Sequence, residues 1–452
     1  MKYYLSGVAG AGMNALAQYL ISEGHQVYGS DRSFDRGQDK DYEMFLSEKG
    51  IVIAAQDGRI LDHTFDACIF SAAVEDRVPD FQRAASLKLP CITRSKFLKT
   101  IYNNKQSIGV AGTSGKTTVT GMLATILKEN GRSISVLCGA EILNYSINGM
   151  GGNCLYTNAP HFLSEVDESD KAIDEYRSHL ALITNISEDH MPLPEALSLF
   201  KHFIKNAESI VFNDDCDNTK RLAASYSGAK TSFSLRNPMA GILIENIKLG
   251  RDNCTFTIRS IPFRINMPGL YNIENAAAAV SAATTQGISL EACAKALSCF
   301  TGIKGRFEQI RQNIYYDFAH NPAKLNSLLT TATALFPSIV LFYQPHGYTP
   351  FKSQFSALNS LFKEHLRPDD VLLIGKIYDA GGSASRDISS SELVRSLENE
   401  SFSCLYIENR SEIDNIVQER TRNDESACFI VGARDRSLRR FAIQLSGQQN
   451  HG

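Results

Sequence analysis

The stretch Ala111-Gly112-Thr113-Ser114-Gly115-Lys116-Thr117-Thr118 constrains this chain more than any other. It stands between a buried-strand pattern at 107–111 and a segment of helical periodicity at 118–128. A glycine-rich turn in that position lets backbone N–H groups curl around phosphate oxygens, and the helix start adds the positive end of its dipole. Lys116 can reach the outer phosphates and the Thr117 hydroxyl can ligate Mg²⁺, so ATP is the favoured ligand. Val110 stands where a strict G-x-x-x-x-G-K-[ST] pattern begins with glycine, yet strand, loop, lysine, hydroxyl and helix are all present. Such a loop belongs at the C-terminal edge of a parallel α/β sheet.

The 452 residues exceed the roughly 150 of a common domain, and the patterning divides them in three. Residues 1–104 alternate a short β-prone run at 2–8 and short apolar runs at 51–54 and 67–70 with helix-like stretches, the rhythm of a small parallel α/β domain. The polar run Asn103-Asn104-Lys105-Gln106 reads as a linker. Strands are expected at 180–183 and 209–212, hairpin alternation at 241–265 and an Ala-rich helix at 272–285, so 105–309 form a central domain. Strands at 314–318, 338–343, 371–374 and 428–431, with a helix at 324–335, make 310–452 a third α/β unit.

The 46 basic and 49 acidic side chains nearly cancel, so no whole-molecule field draws the chain to nucleic acid or an anionic membrane. Its ten cysteines form no C-x-x-C pair and no zinc spacing, which reads as reduced core residues of a cytoplasmic protein. No apolar run reaches the roughly 18 residues of a membrane helix, and glycines at 7, 10 and 12 break up the one stretch resembling a signal peptide.

Those glycines, with Asp31 ending the next strand, resemble a dinucleotide fingerprint but run G-x-x-G-x-G. A diphosphate on the helix start Gly10-Ala11-Gly12-Met13 fits them. An oxidoreductase could seat NAD there but would leave the second phosphate loop unused. The pair points instead to ATP plus a diphosphate-bearing substrate. Glu165 opens the acidic run to Asp170 after a short apolar stretch, where a carboxylate can oppose the loop hydroxyl on Mg²⁺. Apolar residues ending at Ile183 lead into a polar turn with His190, a candidate for metal or substrate. Arg306 offers a cation near the second boundary, while Asp317 to Asn321 and Pro345-His346-Gly347 end two strands of the third unit with polar groups.

In this order the residues resemble the Mur ligase family, three-domain ATP-dependent amide ligases of peptidoglycan assembly, across essentially the whole chain. Thr184 to Met191, Pro268-Gly269 with Asn272 and Asn275, and Gln344-Pro345-His346 with Tyr348-Thr349 add to the likeness, which is greatest toward members joining L-alanine to UDP-N-acetylmuramate. The resemblance implies a Rossmann-like N-terminal domain for the UDP substrate and a central P-loop ATPase-like domain. It implies a C-terminal Rossmann-like α/β domain that closes over ATP and binds the amino acid. It also implies a cytoplasmic ligase, monomeric or weakly dimeric, that uses ATP and Mg²⁺ to form an acyl phosphate on a UDP-N-acetylmuramate-type nucleotide sugar and then joins an amino acid to it.

Carried over by that resemblance, Gly112, Thr113, Ser114, Gly115, Lys116, Thr117 and Thr118 hold ATP, with Asn272 near the adenine and Arg306 and Asp317 on the nucleotide. Thr117, Glu165 and His190 serve metal, and Lys116, His190, His320 and Arg306 serve catalysis. Gly10, Ala11, Gly12, Met13, Asp31 and His346 bind substrates.

The chain also departs from the family pattern. Ser114 and Asn321 stand where histidines are usual, Gly347 replaces the Arg of P-H-R, and Pro350 replaces the next basic residue. Phe200 stands where several relatives carry a carbamylated lysine, so no carbamylation is expected. The nucleotide half is nearly intact and the acceptor half has drifted. Two alternatives follow. One is a murein peptide ligase of cell-wall recycling, toward which Ile303-Lys304-Gly305-Arg306 leans. The other is a catalytically weakened nucleotide-binding protein.

Overall fold

The computed structural model describes residues 1–71, 74–167, 173–188, 191–379, 385–421 and 425–445. The chain divides into two compact units. One comprises Met1–Lys248, Asn253–Asn266 and Tyr271–Lys304, and the other Leu249–Asp252, Met267–Leu270 and everything from Gly305 on.

The first unit opens with five parallel strands, β1 (Lys2–Ser6), β2 (Gln26–Ser30), β3 (Val52–Ile53), β4 (Ala67–Phe70) and β5 (Cys91–Thr93), in the order β3-β2-β1-β4-β5. The order reverses at β1, which opens a crevice at the end of that strand. Both faces of β1 are covered. Tyr3 and Leu5 join one core with Met13, Leu16 and Leu20 of the helix Ala11–Ser22, and Tyr4 joins another with Cys68, Phe70 and Ala84. Burial on both sides is why Tyr3, Tyr4 and Leu5 stand together as an apolar run rather than an alternation.

The second sheet of this unit has eight strands: β6 (Gln106–Ala111), β7 (Ser135–Leu137), β8 (Cys154–Leu155), β9 (His161–Glu165), β10 (Ser178–Ile183), β11 (Ala207–Asn213), β12 (Ala229–Ser234) and β13 (Ile242–Leu243). Their order is β13-β12-β11-β10-β6-β9-β7-β8, with β7–β8 antiparallel. Strand β6 thus lies between β10 and β9, and the loop at 112–115 opens between their ends. Of the alternating residues 241–265, β14 (Glu245–Leu249), β15 (Cys254–Ile258) and β16 (Ile261–Ile265) build a separate three-stranded sheet. Strand β13 instead joins the eight-stranded sheet, pairing Ile242 with Phe233.

A buried amide network ties the two large sheets of this unit together. Asn153 Nδ2 donates to the Ala11 carbonyl at 2.9 Å and to Asn14 Oδ1 at 2.6 Å, while Gln18 Nε2 donates to Asn153 Oδ1 at 3.1 Å. Nearby the Tyr42 hydroxyl donates to buried Glu141 at 2.8 Å. A buried polar group left unpaired costs about 1–3 kcal/mol, so this network fixes the first helix on the central sheet.

The second unit carries six strands, β17 (Glu308–Arg311), β18 (Ile314–Asp317), β19 (Ser338–Gln344), β20 (Val371–Gly375), β21 (Ser403–Ile407) and β22 (Ser426–Gly432), ordered β17-β18-β22-β19-β20-β21. Only β17 is antiparallel to its neighbour. Leu341, Tyr343, Phe429 and Val431 face one core, and Val340, Phe342, Cys428 and Ile430 the other. All ten cysteines are unpaired, and among the described residues no helix is long and apolar enough to cross a membrane.

Candidate active site

Strand β6 ends at Ala111, and the helix Lys116–Glu129 begins after a cap at Gly115 with φ +87°. Two glycines are required here. A Cβ on Gly112, at φ +135°, would lie 2.1 Å from Thr184 Oγ1, and one on Gly115 would lie 2.4 Å from Asn275 Oδ1. The loop is therefore pressed between the end of β10 and the helix Leu270–Thr285. The Thr184 hydroxyl donates to the Ser114 carbonyl at 2.6 Å. Asn185 donates to the same carbonyl at 3.1 Å and accepts the Ser114 N–H at 2.9 Å, and its own carbonyl accepts the Thr113 N–H at 3.0 Å. Thr113 and Ser114 thus commit their amides to Asn185, which braces the loop before any phosphate arrives.

Lys116 Nζ donates to the Gly112 carbonyl at 2.7 Å, folding over the loop. The Thr117 hydroxyl donates to Glu165, 3.0 and 3.2 Å from its two oxygens, and Glu165 Oε2 also accepts the Gly139 N–H at 2.9 Å. A helix hydroxyl and a carboxylate on the neighbouring strand end are hard oxygen donors suited to Mg²⁺, whose remaining positions phosphates and water commonly fill. Thr117 and Thr118 are both buried in the first turn of this helix, 7% and 5% exposed. Asn272 is fully buried and accepts from Asn275 Nδ2 at 3.3 Å, so Asn275 is the member of this pair that meets the loop. His190, Glu168 and Asp170 lie outside the described residues.

At the first sheet Gly7, at φ +87°, turns the chain out of β1, and a Cβ there would lie 3.0 Å from Ser71 Cβ. Gly10 caps the helix Ala11–Ser22 with no side chain in the way. Asp31 holds this turn. Its Oδ2 accepts the Ala9 N–H at 3.0 Å, and its Oδ1 accepts the N–H and the hydroxyl of Ser33, each at 2.9 Å. Met13 is 2% exposed, so its side chain is core and only its backbone remains for a ligand.

One residue here has no signature in the sequence pattern. Arg94, first in the helix Arg94–Asn103, places its guanidinium 2.9–3.2 Å from where a Cβ on Gly12 would be. Glycine at 12 therefore makes room for a cation beside a helix N-terminus, at the place expected for a diphosphate.

In the second unit, β18 and β19 flank β22, and beyond their ends His320 and His346 meet edge-to-face at 4.8 Å. His320 Nδ1 donates to the Phe318 carbonyl at 2.9 Å. Burial first, then the charge of Lys324, pushes His320 down to about 3. Burial, then Arg434 and Lys324, pushes His346 down to about 4. Both imidazoles are therefore neutral near pH 7.

Asp317 accepts the Phe307 N–H at 2.6 Å and the Ala319 N–H at 2.7 Å, and burial raises its pKa against the opposing pull of Arg306. The Arg306 guanidinium lies 5.3 Å over the Phe318 ring and donates to the Gly305 carbonyl at 3.0 Å. In this structure both side chains brace the segment entering the second unit.

Gly347 has φ +150° and ψ 154°, a conformation open essentially to glycine alone. The Arg expected at that position is thus not trimmed from an unchanged turn. The backbone itself excludes a side chain without strain.

Comparison with known proteins matches residues 2–106 to the model described as "Mur ligase family, catalytic domain" and residues 110–283 to that described as "Mur ligase middle domain". The UDP-N-acetylmuramate–L-alanine ligase of Sinorhizobium fredii is 29% identical over 417 residues, 87% of this chain and 86% of that protein. The ligase of the same name from Dictyoglomus turgidum is 28% identical over 409 residues, 87% of this chain and 85% of that protein. Among solved structures, the UDP-N-acetylmuramate–alanine ligase of Thermotoga maritima superposes with a TM-score of 0.80 at 25% identity, covering 99% of this chain and 100% of that one. A murein peptide ligase from Psychrobacter arcticus shares the fold with a TM-score of 0.69 at 20% identity. With two glycine-rich helix starts on one unit, a hydroxyl–carboxylate pair beside the second, and this likeness along nearly its whole length, the chain belongs to the Mur ligase family.

Proposed function

We propose that this protein is an ATP-dependent ligase joining an amino acid, L-alanine by analogy with its relatives, to UDP-N-acetylmuramate in the cytoplasm, as a step of peptidoglycan precursor synthesis. The observation that carries the reading is the loop at 112–118, with Lys116 folded over it and Thr117 set against Glu165. In the reaction a carboxylate oxygen of the sugar attacks the γ-phosphorus, the bond to ADP breaks, and an acyl phosphate forms. The amino acid's nitrogen then attacks the carbonyl carbon, inorganic phosphate leaves, and the amine loses its proton.

Lys116 is suited to hold the outer phosphates through transfer, and Thr117 with Glu165 to hold Mg²⁺, which when bound neutralises charge on the transferring phosphoryl group. Arg94 and the helix start at Gly10 to Met13 grip the diphosphate of the nucleotide sugar. Neutral His320 and His346 can exchange hydrogen bonds with a substrate without carrying charge of their own.

Purified protein should release phosphate only when ATP, UDP-N-acetylmuramate and an amino acid are all present. No release with any common amino acid would overturn the reading, and release with a tripeptide but not with L-alanine would move it to the murein peptide ligases. The rebuilt turn at Gly347 favours a second reading, a nucleotide binder of weakened catalysis. Calorimetry showing tight ATP and UDP-sugar binding without turnover would select it.

A further inference from the structure

The drift of the acceptor half leaves the second unit without the cation of the P-H-R pattern, and the fold supplies another. Gln344 at the end of β19 pairs with Gly432 at the end of β22, so His346 and Arg434 each lie two residues past one register position. Arg434 has φ +67°, a conformation that favours glycine, yet it carries a long charged side chain.

That side chain is exposed and makes no hydrogen bond or ion pair among the described residues. Asp435, the adjacent carboxylate, is engaged by Arg410 and by the N–H and hydroxyl of Ser437. His346 is 7% exposed and makes no hydrogen bond among the described residues, and its ring contact is with His320. Arg434 and Lys324 are the charges that His346 feels. Two helices, Pro322–Leu335 and Tyr348–His365, also begin just past the ends of β18 and β19.

We propose that Arg434, with His346 and Lys324, forms an oxyanion subsite on the second unit and takes the role that position 347 cannot fill. The ligand chemistry is a carboxylate or a phosphate oxygen, from the incoming amino acid or from ATP. The inference rests on the ligase reading for its substrates and on the strand-end geometry for its site. The positive φ is a backbone cost that glycine would not bear, and it holds a long cation at this strand end with its guanidinium open to a ligand. Both are accounted for if an anion completes the site.

The full-length protein would be compared as wild type, Arg434→Gly and Arg434→Lys. Glycine relieves the positive φ, so Arg434→Gly is expected to melt higher than wild type while raising KM about tenfold or more for one substrate, with lysine intermediate. A rise in the amino-acid KM assigns the carboxylate, and a rise in the ATP KM assigns the phosphate. In parallel, inorganic phosphate titrated into each protein should move the His346 ring resonances of wild type and not of Arg434→Gly. Arg434→Gly with wild-type kinetics and a wild-type phosphate response at His346 would overturn the proposal. If wild type turns over no amino acid, the ligase reading fails, and the phosphate titration alone decides the subsite.

Discussion

Gly112→Ala tests whether the loop's shape, rather than its charge, makes it a phosphate site. At φ +135° a side chain costs about 1–3 kcal/mol. The new Cβ would also lie 2.1 Å from Thr184 Oγ1, forcing that hydroxyl off its 2.6 Å bond to the Ser114 carbonyl, a further loss of about 1 kcal/mol. Backbone atoms of Asn185 lie 2.9 and 3.1 Å away and cannot swing aside as a side-chain tip could. The loop conformation therefore loses about 3 kcal/mol, which at 1.4 kcal/mol per decade weakens ATP binding roughly 100-fold. Calorimetric titration with Mg²⁺-ATP reads this directly. Gly131→Ala is the control, because Gly131 has φ +69° with nothing within 4 Å, so it carries strain without a collision. If Gly112→Ala bound ATP within about threefold of wild type, the claim that Thr184 and Asn185 dictate the loop would be wrong.

Glu165→Gln keeps an acceptor for Thr117 but removes the charge, so the Mg²⁺ needed for half-maximal phosphate release should rise roughly 10- to 100-fold, and an unchanged Mg²⁺ curve would refute its role. Asn153→Ala removes the amide that bonds Gln18, Asn14 and the Ala11 carbonyl in a buried site, leaving Gln18 and Asn14 their 3.2 Å bond to each other, and should lower stability by about 1–3 kcal/mol in denaturant melts; a loss within experimental error would mean water replaces the amide. His346 drops from the usual 6.5 to about 4, so the fold favours its neutral form, and that contribution is present above about pH 6.5 and lost as pH falls toward 4. Asp317, raised by burial, works in the opposite sense as its carboxyl protonates at the acid end. Melting temperature should therefore fall between pH 6.5 and 4.5, and more gently in His346→Phe; parallel pH profiles would remove His346 from the account.

The elements most legible in the sequence were those buried on both faces. Apolar runs at 67–70, 338–343 and 428–431 became strands because a parallel strand covered on both sides tolerates no polar alternation. Strand β12 was not legible, since Ala229–Ser234 includes Lys230, Thr231 and Ser232 and begins exposed at Ala229 and Lys230. Strands β7 and β8, of three and two residues, are too short to show a period. The site divides in the same way. Lys116, Thr117 and Glu165 follow from local chemistry at strand ends, whereas Arg94 and Arg434 carry no motif and acquire meaning only from what they face.

The sequence by itself determined that this chain is α/β, that it turns sharply at two glycine-rich helix starts, and that one of them carries the lysine and hydroxyl of a phosphate loop. Those properties depend on φ, helix capping and side-chain type within a few residues, all of which are local. Tertiary structure decided that Thr184, Asn185 and Asn275 clamp the loop, that Gly12 makes room for Arg94, and that the parallel pairing of two strands sets Arg434 and His346 at the same sheet end. These are contacts between residues distant in the chain, fixed by strand order and register, and no local pattern encodes them.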